Sequence, residues 1–258
     1  MAVKTVRIEE YIRTAADIIQ TSKKTVILTG AGVSTPSGIP DFRSIEGGLW
    51  TKYDPFEIAS LSAFRNNPVK FYRWIRSLAS KIMDAEPNDA HVGIARMENA
   101  GFIQTIVTQN IDGLHQRAGA QTVLEVHGSW NYLSCTACFQ QFGSLEFMKP
   151  FLIEGEIPYC PQCGCVLKPD LILMGEQLPA RVWLKANQAS KSCDLMIVAG
   201  SSLEVFPVAG LPTRALDNGS KLIIINQTET YIDVRADLVI QEDVSYVIPL
   251  IAEKILGD

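Results

Sequence analysis

The stretch Thr25–Arg43, TVILTGAGVSTPSGIPDFR, constrains this chain more than any other. Thr25–Thr29 is a β-branched and aliphatic run, and it reads as a buried strand. Gly30-Ala31-Gly32 follows at once, so the backbone must turn sharply where no Cβ intrudes. Val33-Ser34-Thr35 then offers hydroxyls suited to capping a helix or holding an anion beside backbone N–H groups. The pattern has the logic of a dinucleotide-binding turn, but Thr35 stands where G-x-G-x-x-G requires its third glycine. On motif grounds alone, a tight strand-to-helix turn without a ligand explains Gly30 and Gly32 equally well. The continuation Ser37-Gly38-Ile39-Pro40-Asp41-Phe42-Arg43 is too rich in Gly and Pro for a helix. It places a carboxylate, an aromatic ring and a guanidinium in three consecutive positions of a loop.

With 258 residues the chain can bury one large core, or one large and one small. Its net charge of −5, with no basic block, argues against general nucleic-acid affinity. No apolar run reaches the roughly 20 residues of a membrane span, and MAVKTVRIEE is not a secretory leader.

Apolar residues at helical spacing (Ile8, Tyr11, Ile12, Ala15, Ile18 and Ile19) predict a packing helix over 7–22. Gly47-Gly48-Leu49-Trp50 is expected to be a mobile, lid-like segment. Residues 55–85 are expected to be helical, with Phe56, Phe64, Phe71, Tyr72, Trp74 and Leu78 forming a stripe that is more often core than ligand site, though a small helical module set into the main domain would also line a cleft. A further helix is expected over 87–99, with His91 in a structural role.

Strands are expected at 102–108, 122–126, 194–199, 221–225 and 236–240, alternating with helices, which predicts a parallel, doubly wound α/β sheet. Polar residues recur at the strands' carboxyl ends, where open α/β sheets gather ligands. Gln109-Asn110-Ile111-Asp112 follows the second strand, and His127-Gly128 the third. Gly200-Ser201-Ser202 follows the fourth, and its small residues permit close backbone approach. Asn226 follows the fifth, and Val244 stands just beyond the sixth. A histidine at a strand end, beside a glycine that admits a substrate, suits proton transfer near neutral pH. His115 falls inside a helix and is expected to be structural.

Cys135-x-x-Cys138 and Cys160-x-x-Cys163, about 20 residues apart, carry the spacing of a tetrahedral zinc site. Four thiolates leave no open coordination position, so such a metal is structural; a redox role for either pair is the weaker alternative. Paired thiolates also suggest a reducing compartment, and hence the cytoplasm. Cys165 is a spare thiol beside the cluster.

The long motif G-A-G-[VI]-S-x-x-S-G-I-P-D-F-R resembles the sirtuin family of NAD-dependent protein deacylases. T-Q-N-I-D-x-L-H-Q-x-A-G matches that family's second signature, and the resemblance extends over nearly the whole chain. It implies a large Rossmann-like NAD-binding domain built from 1–43, 90–129 and 169–258. A helical module near 44–89 and a zinc module near 130–168 interrupt it. It further implies NAD bound by Gly30, Ala31, Gly32, Asp41, Phe42 and Arg43, with Gln109, Asn110 and Asp112 shaping the nicotinamide pocket. Gly200, Ser201, Ser202, Asn226 and Val244 complete the NAD site, while His127, Asn110 and Asp112 carry catalysis. Cys135, Cys138, Cys160 and Cys163 hold Zn2+.

The acyl-lysine protein or peptide substrate is expected against Ile172, Met174, Gly175, Glu176 and Val205. Many sirtuins carry Phe where this chain has Met174, which keeps the wall apolar but more deformable. The implied reaction is deacetylation or deacylation of lysine, giving nicotinamide, O-acyl-ADP-ribose and free lysine, with neither membrane nor specific nucleic-acid partners. Three other readings compete with it: ADP-ribosyl transfer or NAD hydrolysis on the same scaffold, a non-catalytic NAD sensor, and a zinc-ribbon nucleic-acid module. In desuccinylating sirtuins a Tyr-x-x-Arg pair holds the acyl carboxylate. Here Tyr72 is followed by Ile75, and the nearest cation, Arg76, lies about 100° further round a helix.

Overall fold

The computed structural model describes residues 2–41 and 54–257. Phe42, Arg43 and the Gly47–Trp50 segment lie outside the described residues.

Six strands form one parallel sheet: β1 (Thr25–Thr29), β2 (Thr105–Thr108), β3 (Val123–Glu125), β7 (Leu195–Ala199), β8 (Lys221–Ile225) and β9 (Leu238–Ile240). Their spatial order is β3-β2-β1-β7-β8-β9. The chain therefore winds outward from β1 in one direction and from β7 in the other. The point where the winding reverses lies between the carboxyl ends of β1 and β7, the place where such sheets bind ligands.

Alternate residues along each strand feed two cores, because successive side chains point to opposite faces. Ile27, Ile197 and Ile223 join one core with helices α1 (Ala2–Thr21), α5 (Asp89–Asn99) and α10 (Val244–Leu256). Within α1, Ile12, Ala15 and Ile19 are buried there and Ile8, Tyr11 and Ile18 pack around them, as the spacing predicts. Leu28, Val198 and Ile224 join the opposite core with α8 (Ala180–Ser192) and α9 (Leu211–Asp217). Each fully buried aliphatic side chain contributes about 1.5–3 kcal/mol, so a strand covered on both faces is well held.

Two excursions leave the sheet. Residues 55–84 are not one helix but three: α2 (Pro55–Ile58), α3 (Leu61–Asn66) and α4 (Pro68–Asp84). The breaks have local causes. Ser60 Oγ accepts from Ala63 N at 3.0 Å and Asn67 Oδ1 from Lys70 N at 3.0 Å, each starting a new helix. Pro68 then takes the first position of α4, where a missing N–H costs nothing. Phe64, Phe71 and Tyr72 stack edge to face within the core between α4 and the second excursion, whereas Phe56 is exposed.

The second excursion is an antiparallel sheet ordered β5-β4-β6, from β4 (Gly128–Cys135), β5 (Gln141–Gly143) and β6 (Leu167–Leu171), with α7 (Leu145–Glu154) between β5 and β6 in the chain. Its small core contains Leu133, Cys135, Cys160 and Leu167, with Phe142 and Phe147 against them; Phe139 and Leu145 point outward.

Candidate active site

A cavity of about 1360 Å³ opens at the sheet's reversal point. Its floor is the Gly30–Gly32 turn and the facing Gly200–Ser202 turn. These glycines serve each other first. A Cβ on Gly30 would lie 2.7 Å from the Gly200 oxygen, and one on Gly32 would lie 2.9 Å from Gly200 Cα. The two turns are clasped, with Gly32 N–H donating to Gly200 O at 2.9 Å. The clasp brings both strand ends to one ligand surface. No long helix follows Gly32, and two short 3-10 turns, Ala31–Val33 and Thr35–Ser37, lead into the loop.

Gln109 and Asn110 continue β2 into this surface. Asn110 is 9% exposed and its Nδ2 donates to Gly30 O at 3.1 Å and Ser34 Oγ at 3.0 Å, which leaves Oδ1 as its remaining acceptor. Gln109 Nε2 donates to Ser201 Oγ at 2.8 Å, bridging the two halves of the sheet. His127 follows β3, and its Nδ1–H donates to the Gln109 carbonyl at 3.1 Å. A carbonyl can only accept, so the proton sits on Nδ1 and Nε2 is left as a base. Burial lowers the His127 pKa and outweighs the opposing effect of that hydrogen bond. The ring is therefore neutral at pH 7.

Gly128 has a different role from the one its sequence position suggests. It has φ +75, and a Cβ there would stand 1.9 Å from the Asp170 oxygen. It is glycine so that β4 can pass β6, not to admit a substrate.

Asp112 does not border the cavity. It lies behind Ser34, whose hydroxyl donates to Asp112 Oδ2 at 2.7 Å, while Leu114 N donates to Oδ1 at 3.0 Å. Burial raises the Asp112 pKa against those bonds and the Arg117 charge. His91 Nδ1 accepts from Asn88 N at 3.3 Å, so Nε2 carries the proton toward Ser34 Oγ at 3.4 Å. His115 Nε2 lies 2.9 Å from Thr29 Oγ1. Burial holds His91 down at about 4 and His115 at about 3, so both are neutral structural groups, as expected.

The cavity also takes in Asp41, Asn226 and Val244. Its other wall is apolar: Ile111, Trp74, Ile75 and Leu78 face Leu171, Ile172, Leu173 and Met174, with Val205 nearby. Glu176 borders it, but Gly175 does not.

A chain with these clasped turns, this base and this apolar wall matches the model of the Sir2 family over residues 30–207. It is 46% identical over 248 residues to the NAD-dependent protein deacylase 2 of Archaeoglobus fulgidus, covering 96% of this chain and 97% of that one. It is also 46% identical to the NAD-dependent protein deacetylase 2 of Caldanaerobacter subterraneus, covering 92% and 93%. The chain belongs to the Sir2 family.

Solved Sir2 enzymes superpose closely on this sirtuin. One matches with a TM-score of 0.91 at 45% identity, over 96% of this chain and 99% of the other. A Sir2 complex with a p53 peptide and NAD+ matches with a TM-score of 0.87 at 36% identity, over 96% and 99%.

The four cysteines of this sirtuin meet as its spacing predicts. The Sγ atoms of Cys135, Cys138, Cys160 and Cys163 all lie within 4.8 Å of one another, a donor set that fits tetrahedral zinc. Cys165 is outside the cluster and contributes its carbonyl to Cys160 N at 2.7 Å. Cys193 is buried, with its Sγ directed to Ser190 O at 3.2 Å.

Ser34, which from sequence suits a cap or an anion ligand, is instead the buried junction of Asn110, Asp112 and His91. The stripe that includes Trp74 and Leu78 reads first as core and second as a cleft lining, and the cleft lining is what Trp74 and Leu78 form, together with Ile75. The signal was available in their i, i+1, i+4 spacing, one step round α4 from Phe71 and Tyr72.

Proposed function

We propose that this sirtuin removes acyl groups, acetyl above all, from protein lysines at the expense of NAD, yielding nicotinamide, O-acyl-ADP-ribose and free lysine. The observation that carries this reading is the placing of the His127 base on one cavity with the Gly30–Gly32 turn and an apolar wall. When bound, NAD supplies the ribosyl carbon that parts from nicotinamide and the hydroxyl that takes over the acyl group. Gly30, Ala31, Gly32 and Asp41 would hold the cofactor from β1, with Phe42 and Arg43 beyond. Gly200, Ser201 and Ser202 would hold it from β7, and Asn226 and Val244 from the far side. His127 Nε2 accepts the proton of the attacking ribose hydroxyl, and Gln109 keeps its ring in the basic tautomer. Asn110 presents Oδ1 to the nicotinamide side, and Asp112 holds Ser34, which orients Asn110. Ile172, Met174 and Val205 would line the acyl-lysine channel and exclude water, with Gly175 at its turn.

Cys135, Cys138, Cys160 and Cys163 would hold one zinc ion, which in a closed thiolate site supplies folding energy rather than catalysis. We divide the chain into a Rossmann-like domain of 1–43, 90–129 and 169–258, a helical module of 44–89 and a zinc module of 130–168. The separate antiparallel sheet supports that division. Among the described residues no helix is long and apolar enough to cross a membrane. The thiolate reading of the cysteines favours the cytoplasm.

The test is mass spectrometry of an acetyl-lysine peptide incubated with the protein, with and without NAD. A loss of one acetyl group only with NAD, matched by O-acetyl-ADP-ribose, is expected. ADP-ribose without peptide deacetylation, or a peptide gaining ADP-ribose, would replace this reading.

A further inference from the structure

Lys168 on β6 and Glu176 beyond it are only 13% and 18% exposed, and they meet at 3.1 Å. The Lys168 ammonium has three donors, and all three are used: Glu176 Oε2, Pro169 O at 2.9 Å and Leu171 O at 2.8 Å. The same Glu176 oxygen accepts the N–H of Leu173 at 2.7 Å. Glu176 N–H returns to Leu173 O at 3.0 Å, across a turn where Gly175 has φ +85. The segment 168–176 is therefore tied to itself at both ends.

Between those ties lie Ile172, Leu173 and Met174 of the apolar wall. Ile172 N–H donates to the carbonyl of His127 at 2.9 Å. Met174 N–H donates to Ala59 O at 2.9 Å, and Met174 O accepts from Leu61 N at 2.9 Å. The wall is thus suspended between the base and the helical module. A buried ion pair adds little net stability over an apolar pair of equal volume. What this one adds is direction: it fixes the main-chain groups of Pro169, Leu171 and Leu173, which set the course of the wall past His127.

We propose that Lys168 and Glu176 form a positioning pair for the acyl-lysine. Glu176 acts through Leu173 and Lys168 and does not recognise the substrate by contact. The proposal rests on the deacylase reading above, and it places Glu176, which the sequence assigns to substrate binding, in a different role.

The test compares Lys168→Met, Lys168→Arg, Glu176→Gln and the double variant Lys168→Met with Glu176→Gln. Each is measured for zinc content, for NAD affinity by calorimetry, and for steady-state kinetics on acetyl-lysine peptides with neutral or basic flanks. In Lys168→Met, kcat/KM should fall about 100-fold, the scale of an ångström-sized misplacement, mostly through peptide KM, with NAD affinity changed less than about twofold. Lys168→Arg should recover most of the loss. The double variant should be no worse than the poorer single variant, because both remove one interaction. Glu176→Gln should affect both peptides equally.

An unchanged peptide KM in Lys168→Met, or NAD affinity falling in step with it, would overturn the proposal. So would a Glu176→Gln loss confined to the basic-flanked peptide, which would make Glu176 a substrate contact. Wild-type protein inactive on every peptide with NAD would instead remove the deacylase reading, and this proposal with it.

Discussion

Ser34 Oγ donates to Asp112 Oδ2 at 2.7 Å and, through the same oxygen, accepts from Asn110 Nδ2 at 3.0 Å. One buried hydroxyl thus orders two of the polar residues that the sequence assigns to the nicotinamide side. The direction of each bond is fixed. The Asn110 amide donates because its other hydrogen already goes to the Gly30 carbonyl, and the Asp112 carboxylate can only accept. Asp112 acts from behind the cavity, as an anchor.

That anchor carries a stability cost with a definite sign. Burial raises the Asp112 pKa above its ordinary value, so the folded protein binds this proton more tightly than the unfolded chain does. Such a group favours folding below its unfolded pKa and loses that contribution as pH rises through its folded pKa. The uncharged isostere does not titrate. Asp112→Asn should therefore be at least as stable as the wild type near neutrality, and its Tm advantage should shrink as pH falls. Its deacylation should drop at the same time, because Ser34 loses the carboxylate that fixes it. Thermal melts from neutral pH down to the ordinary carboxylate range check this; a variant uniformly less stable at every pH would contradict it.

His127→Ala should leave NAD binding and fold nearly intact and cut deacylation by about 10²–10⁴-fold, the usual contribution of general base catalysis. Because burial lowers the His127 pKa, the acid limb of kcat/KM should lie below the ordinary histidine value. A pH profile whose acid limb persists unchanged in the alanine variant would assign the base elsewhere.

What the sequence made legible follows from what each residue depends on. Strands β1 and β8 were readable to the residue because each is built on an apolar run, Val26-Ile27-Leu28 and Leu222-Ile223-Ile224-Ile225, buried on two faces. The second strand is shorter than its pattern suggests, since Phe102 and Ile103 pack against the core before β2 begins. The helix breaks at Ser60 and Asn67 were written locally as cap residues, but the aromatic stripe over 55–85 masks them. The roles of Gly30, Gly128 and Ser34 were not legible. Each depends on backbone or side chains brought close only by the fold: Gly200, Asp170 and Asp112 respectively.

The four cysteines cluster in the second excursion, whose own core is only a few side chains. A sheet that small does not bury enough apolar area to fold without a staple. The purified protein should contain one zinc per chain, and Cys160→Ser should lose it and unfold the β4-β5-β6 sheet, with activity falling as a consequence. Elemental analysis with limited proteolysis reads both effects. Full zinc retention in that variant would mean that Cys165, two residues beyond Cys163, supplies the missing thiolate.

Two residues placed to hold an acyl carboxylate, Tyr72 and Arg76, turn away from the cavity. Tyr72 is 2% exposed, and its hydroxyl donates to the Leu167 carbonyl at 2.6 Å. Arg76 spends its guanidinium on the end of α7: Nε and Nη2 donate to Leu152 O at 3.0 and 2.7 Å, and Nη2 also to Ile153 O at 2.9 Å. Neither side chain is available to hold an acyl carboxylate. The intervening Ile75, with Leu78, Ile172 and Met174, presents hydrocarbon there, and no Lys or Arg borders the cavity among the described residues. A succinyl carboxylate entering this channel gives up water without gaining a partner, at a cost on the order of 3 kcal/mol or more. That cost corresponds to about 100-fold in rate. On matched peptides, kcat/KM for acetyl-lysine and butyryl-lysine should exceed that for succinyl-lysine by at least this factor, and Arg76→Ala should leave the ratio unchanged. Succinyl turnover equal to acetyl in the wild type, lost on replacing Arg76, would show that the guanidinium leaves α7 and reaches the substrate.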